Sequence, residues 1–302
     1  MRVFVAGASG AIGQPLVGEL VRQGHTVTGM TRSDGGEQHL KGLGAAVARV
    51  SAFDAAAVEE ALRRSEAEVV IDELTSLPGD PSEMAAAAAG DRKLRLEGGG
   101  NLYWAAQASG VRRYIQQTSG FFLKADGRLA DESNGLRIDA SPGVAASART
   151  YTELESRVLH SGQMEGVALR YGFFYGPKTW YWPDGAVAGQ VRREELPIVG
   201  EAQGVWSFVH IEDAALATVA ALTVAPGVYN IVDDDPSPVS QWLPEFARWV
   251  GAPPPPHVTE EQAREKAGED AVYYNTKLSG ASNEKAKKAF GFKPRRLEWL
   301  GK

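Results

Sequence analysis

Cysteine is absent from all 302 residues, which excludes disulfides, thiol nucleophiles and cysteine-ligated metals. Histidine is scarce: the five present (His25, His39, His160, His210, His257) never fall at a spacing that brings two to one metal ion, and no metal site is expected. Basic runs are missing as well. With 32 Lys+Arg against 38 Asp+Glu and a formal net charge of -6, nothing would neutralise a row of phosphates, so nucleic acid is not an expected partner. No apolar stretch approaches membrane-spanning length, and the first motif, at residue 7, leaves no room ahead of it for a secretory signal. The expectation is a cytoplasmic protein acting on a small molecule, with no membrane or nucleic-acid partner; a homodimer stays open.

What is present is a 43% hydrophobic chain, enough for one large core or a core with a smaller lobe attached. Residues 2–6 (RVFVA) form a short β-branched run. Residues 11–23 then repeat apolar positions at helical spacing (Ile12, Leu16, Leu20, Val21). Further strands are expected at 26–30, 46–50, 68–71 and 112–118, and another ending at Arg170. Helices are expected after Asp54 as N-cap, at 94–109 and near 150–161. Alternating strands and helices predict an α/β, doubly wound parallel sheet of the Rossmann kind, with ligand beyond the carboxyl ends of the strands. After Gly176-Pro177 the chain turns aromatic and loop-like, and residues 251–256 (GAPPPP) read as a stiff linker. The expected division is a dinucleotide-binding domain of 1–172 plus 205–233, and a smaller substrate lobe of 173–204 plus 234–302.

Gly7-Ala8-Ser9-Gly10-Ala11-Ile12-Gly13 follows the first strand and opens the first helix. The first glycine permits the tight turn, the second lets backbone approach a pyrophosphate, and the third lets helix and strand pack closely. The helix N-terminus offers N–H groups and the positive dipole end to the phosphates. Gly7, Ser9, Gly10, Ala11, Ile12 and Gly13 are therefore expected cofactor contacts, joined by residues at the strand ends: Thr31, Arg32, Leu74, Thr75 and Tyr171. At the end of the second strand an acidic residue would select NAD; Thr31-Arg32-Ser33 stands there instead. Arg32 can pair with a 2′-phosphate or stack on adenine, which tilts the choice to NADP with NAD still open, unless Arg32 is only a solvated loop residue.

With this loop stand Thr118-Ser119, the segment Leu169-Arg170-Tyr171-Gly172 with Tyr175-Gly176-Pro177, and Phe208-Val209-His210-Ile211-Glu212-Asp213. The ending adds Ala281-Ser282-Asn283-Glu284-Lys285-Ala286 and Phe290-Gly291-Phe292-Lys293-Pro294. Together they resemble the extended short-chain dehydrogenase/reductases, often labelled NAD-dependent epimerase/dehydratases, over nearly the whole chain. The resemblance implies a Ser/Thr that polarises a carbonyl, matched by Ser119, and a Tyr followed four residues later by a Lys. Here the sequence departs from the pattern. Tyr151 is followed by Glu155, and a carboxylate there would raise the tyrosine pKa, opposite to what a proton donor needs. A second register sets Glu155 on the family's glutamate, which puts Ser147 on the tyrosine position and Tyr151 on the lysine position. In either register the Tyr/Lys couple is broken, and the atypical branch of the family is the nearer resemblance. Tyr151 as proton donor and Tyr151 as a core-packed ring both remain open.

Family members acting on nucleotide sugars carry an Arg where this chain has Trp206, and an indole cannot clamp a diphosphate. Phe121, Phe173, Tyr175, Trp180 and Trp206 fall on segments that this fold directs toward the cleft or its lid, which suits a flat, apolar or aromatic substrate, although such rings also glue lobes together. The expectation is an NAD(P)-dependent oxidoreductase reducing a carbonyl or activated C=C, with Ser119 and Tyr151 as its catalytic pair. The alternatives are an NADP-sensing binding protein and a sugar-nucleotide epimerase or dehydratase. His210 and Asp213 are expected to serve a helix start, and Lys124 could supply a cation to the site.

Overall fold

The computed structural model describes residues 1–125, 127–160 and 162–300. Seven parallel strands form its central sheet. In spatial order they are Gly227–Ile231, β6 (Glu165–Tyr171), β5 (Arg113–Ser119), β4 (Val69–Asp72), β1 (Arg2–Ala6), β2 (Thr26–Thr31) and β3 (Ala46–Arg49). Strand order reverses between β1 and β4, so the carboxyl ends of these two strands flank a crevice. Parallel strands are covered on both faces, and β4 and β5 are buried at every position. One face carries α1 (Gly13–Arg22) and α2 (Asp34–Gly42), packed with the helix Ile211–Ala220. The other carries α3 (Ala55–Ser65), α5 (Gly99–Ala108) and α6 (Pro142–Leu159).

Local chemistry sets the helix starts. Asp54 caps α3 by accepting from the Ala57 N–H at 3.0 Å, as its position predicted. Ser33 caps α2 by accepting from the Gly36 N–H at 3.1 Å, a helix that its three glycines hid from pattern reading. The helix expected at 94–109 begins earlier, with α4 (Met84–Lys93), and passes through a π-helical turn at Leu94–Gly98 before α5. Helix α6 likewise starts at Pro142 rather than near 150, with proline in its first turn; residue 161, at the end of the expected segment, lies outside the described residues.

A second core is rich in aromatic rings. Tyr175, Tyr181, Trp206, Phe208, Trp242, Phe246 and Trp299 pack together beyond the carboxyl edge of the sheet, covered by the helices Ala186–Arg192 and Val239–Trp249. The strand Phe208–His210 pairs in parallel with Phe173–Tyr175, and Trp206 and Phe208 contribute their rings to this second core while Val209 packs in the core beneath the sheet. The helix Glu260–Thr276 is broken at Gly268, where φ is +83°.

Candidate functional site

The glycine loop closes on itself, with the Gly10 N–H donating to the Gly7 carbonyl at 2.9 Å. Gly7 has φ +76°, and a Cβ there would lie 2.4 Å from the Glu73 carbonyl oxygen. At Gly13 a Cβ would lie 2.2 Å from the Gly7 carbonyl. Gly10 differs: a Cβ would meet only that carbonyl, at 3.2 Å, and otherwise open space. Two glycines thus build the turn and the third keeps the approach to the α1 N-terminus clear. Ile12, the N-cap of α1, places no side chain on the first-turn N–H groups. A backbone cradle with a helix dipole behind it fits a dinucleotide pyrophosphate.

Gly7, Ser9, Gly10, Thr31, Arg32, Leu74 and Thr75 line one cleft at the switch point, with Phe53, Glu73 and Leu94 as further walls. Ser9 Oγ and Thr31 Oγ1 lie 3.1 Å apart and tie the loop to the end of β2. Arg32 is exposed at the rim. Ala11 is exposed and Ile12 is buried in the α1 core; neither lines this cleft. Tyr171 is fully buried, its hydroxyl 3.1 Å from Glu73 Oε1 and 2.6 Å from Thr218 Oγ1, so it bears on the cleft only through Glu73.

Glu73 itself escaped sequence reading. It follows the last residue of β4 and is buried, with Oε2 lacking any hydrogen-bond partner. Burial pushes its carboxyl up to about 8, the Tyr171 hydroxyl opposes this, and Asp72 adds to it. A neutral acid beside a pyrophosphate avoids the repulsion that a carboxylate would bring. The available signal was a charged residue directly at the carboxyl end of a wholly buried strand.

Ser119 closes β5 and is buried; its Oγ accepts from the Phe121 N–H at 3.4 Å, which shapes the turn toward the aromatic wall. Tyr151 lies on α6, half-buried, its ring 6.1 Å from that of Phe122. The residue four further on, Glu155, pairs with Arg170 of β6 at 2.6 and 2.8 Å, which anchors α6 to the sheet. The Arg95 guanidinium stands 5.1 Å over the Tyr151 ring. Nothing in the sequence marked Arg95, because its partner lies on a different helix.

Phe121 stacks on Phe173 at 4.2 Å, and Phe173 stacks on Trp206 at 4.0 Å. The Trp206 indole donates to the Tyr274 carbonyl at 2.8 Å and the Trp180 indole to the Pro78 carbonyl at 3.2 Å. Tyr175 is different: it has no exposed surface, is packed against His210 and Trp299, and so belongs to the lobe's interior rather than to a substrate wall. His210 Nδ1 accepts from the Glu212 N–H at 3.2 Å and so caps the helix Ile211–Ala220, whereas Asp213, in the first turn of that helix, accepts from the Arg295 N–H at 2.8 Å and ties the helix to the C-terminal segment. Lys124 is taken up by exposed Asp139 at 2.9 Å. Among the described residues there is no group of side chains that could hold a metal, and no helix is long and apolar enough to cross a membrane.

The chain is 40% identical over 305 residues, spanning 99% of it and 98% of the relative, to a 3-diazoavenalumate denitrifying reductase of a Streptomyces species. It is 27% identical over 266 residues, 84% of it and 77% of the relative, to a 2-alkyl-3-oxoalkanoate reductase of Stenotrophomonas maltophilia (strain K279a). Its fold matches the Thermus thermophilus UDP-glucose 4-epimerase in complex with NAD, with TM-score 0.75 and 24% identity over 100% of this chain and 96% of that one. The dTDP-glucose 4,6-dehydratase DesIV of Streptomyces venezuelae matches with TM-score 0.76 and 16% identity, over 99% and 93%. The sequence profile of the NAD dependent epimerase/dehydratase family matches residues 3–232. A glycine cradle at the switch point of a parallel sheet, together with that match across most of the sequence, places the chain in the NAD dependent epimerase/dehydratase family, an NAD-dependent enzyme family of the short-chain dehydrogenase/reductase type.

Proposed function

We propose that this enzyme is a reductase that delivers hydride from NADPH to an aromatic or apolar small molecule, with Ser119 and Tyr151 beside the acceptor. The observation that carries the reading is the 40% identity, along the full length of both chains, to a named reductase. Bound in the cleft, the reduced nicotinamide would supply the hydride. Gly7, Gly10 and Gly13 would hold the pyrophosphate, and Arg32, exposed where β2 ends without a carboxylate, favours a 2′-phosphate. The Phe121–Phe173–Trp206 stack supplies a flat apolar face. A carbonyl or enone acceptor takes hydride at carbon and a proton at oxygen or at the neighbouring carbon. Ser119 would steady the developing charge and Tyr151 would donate the proton.

A second acceptor is favoured by the name of that relative. An aryl diazo group takes hydride at its terminal nitrogen; the carbon–nitrogen bond then breaks, dinitrogen leaves, and the transferred hydrogen ends on the ring carbon. That route asks for no net proton from the protein. Purified protein with NADPH or NADH, offered aromatic ketones, enones and aryl diazonium salts, should oxidise NADPH faster than NADH with at least one class. Ser119→Ala should slow ketone reduction by about 10²-fold or more. Absence of cofactor oxidation with every class, alongside tight NADPH binding, would favour a cofactor-sensing protein instead. Micromolar binding of a nucleoside diphosphate sugar would favour sugar-nucleotide chemistry.

A further inference from the structure

Arg95 is set in an unusual place. It sits on the π-helical turn Leu94–Gly98, immediately after Leu94, which walls the cofactor cleft. Such turns expose carbonyls that an α-helix would use internally. Here Arg157 of α6 donates to two of them, Nη1 to the Leu96 carbonyl at 3.3 Å and Nη2 to the Arg95 carbonyl at 3.4 Å. The turn carrying Arg95 is thereby fastened to the helix carrying Tyr151. The Arg95 side chain is 3% exposed, and its Nε donates to Asp91 at 2.6 Å. Asp91 in turn accepts from the Ser76 N–H at 2.6 Å, next to Thr75 of the cleft wall. Arg95 Nη1 is buried without a hydrogen-bond partner.

A buried guanidinium that keeps one donor unused is costly, and a salt bridge with Asp91 alone does not account for its face lying over a tyrosine ring. We propose that Arg95 is the positioning cation of this site: it fixes Tyr151 and holds the charge left on the phenol oxygen when Tyr151 gives its proton to the reduced substrate. Helix α6 contains no lysine, and its two arginines are engaged with backbone carbonyls, Arg149 with Ile138 and Arg157 with the π-helical turn, so the cation over the Tyr151 ring comes from another helix. The proton passes from the Tyr151 hydroxyl to the acceptor oxygen as hydride reaches carbon, and solvent returns it. Guanidinium suits the task because it stays charged at any working pH and can stack on the ring.

Among the described residues, the titratable groups set against Tyr151 are Arg95 and Asp91 from the π-turn and α4, and Tyr274 from the helix Glu260–Thr276, with Tyr273 of that helix in the same apolar cluster; Glu155, four residues on along α6, is paired to Arg170. Burial pushes the Tyr151 phenol up, Arg95 opposes it, and Asp91 adds to it.

This inference rests on the reductase reading for its purpose, but its test does not need turnover. Protein carrying ¹³Cζ-tyrosine is titrated by NMR, with Tyr151→Phe assigning the resonance. Arg95→Met should move the Tyr151 titration upward by about one pH unit, tenfold in the acid constant, whereas Arg95→Lys should leave it near the wild-type position. Mere loosening of the site would relieve burial and move it downward, so an unchanged or lowered titration in a folded Arg95→Met protein overturns the proposal. Should Arg95→Met not fold, Asp91→Asn, which keeps the guanidinium, must lower the titration; no change there also overturns it. With an aromatic ketone and NADPH, the basic limb of the kcat/KM profile should follow the NMR shift while the KM for NADPH stays put. Turnover without NMR coupling sinks this inference alone; NMR coupling without turnover on any acceptor sinks the reductase reading and leaves the pair intact.

Discussion

At the scale of single residues, Glu73 sets a pH dependence that can be read directly. Its carboxyl stands near 4.5 in the unfolded chain and at about 8 in the fold. Below the lower value both states bind the proton and the group is neutral to stability. Between the two values the unfolded chain gains by ionising while the folded chain does not, so each pH unit weakens the fold by about 1.4 kcal/mol; above 8 the loss levels off. Glu73→Gln keeps an oxygen to accept from Tyr171 and removes the titration. It should match the wild type in urea unfolding near pH 4.5 and exceed it at pH 8 to 9 by a few kcal/mol at most. Asp233, pushed up to about 7 by burial, slopes in the same direction and will leave part of the pH dependence in the variant. A Glu73→Gln protein that is weaker at both pH values would show the carboxyl to be a charged partner rather than a neutral one.

At the scale of elements, the three loop glycines should separate by experiment, because their surroundings differ. Gly13→Ala forces a Cβ onto the Gly7 carbonyl, a backbone group that cannot swing away; the expected cost is about 1–3 kcal/mol together with loss of NADPH affinity. Gly10→Ala meets little protein and projects into the open space that the proposed pyrophosphate would fill. It should melt within a degree or two of the wild type and still bind NADPH at least tenfold more weakly by calorimetry. Equal losses of stability in both variants would mean that the loop is a structural turn with no approach path built into it. The same elements show why some helices were legible and others not. Residues 13–22 present Leu16, Val17 and Leu20 at helical spacing to the sheet, whereas α2 has three glycines and buries only Gly36 and Leu40.

At the scale of the whole molecule, the sheet with its flanking helices and the aromatic lobe have separate cores. Trp242 is 1% exposed among Tyr181, Trp206, Phe208 and Phe246. Replacing it with alanine removes a large buried side chain and should destabilise by about 3–5 kcal/mol. Since the glycine loop packs on the sheet rather than on that aromatic core, NADPH affinity measured below the melting transition should change less than twofold, while the KM for an aromatic acceptor rises. Cofactor affinity falling in step with acceptor affinity would show that the two cores work as one.

The sequence by itself determined the parallel sheet, the glycine cradle and the place of the crevice, because these follow from strand periodicity and from residues adjacent along the chain. Ser119 at the end of β5 was likewise placed by sequence, and so was the helical position of Tyr151. Tertiary structure decided the rest. Tyr171 and Tyr175 read as site residues from their motifs, and the fold buries both, Tyr171 against Glu73 and Thr218 and Tyr175 against His210 and Trp299. Glu73 carries only the slight signal of its place at the end of a buried strand and Arg95 carries none; what marks them is desolvation and a neighbour from another element, Tyr171 of β6 for one and Tyr151 of α6 for the other. The glycine loop could be read because its function lies in its own backbone. The charge beside Tyr151 could not, because it arises only when a π-helical turn and α6 are brought side by side.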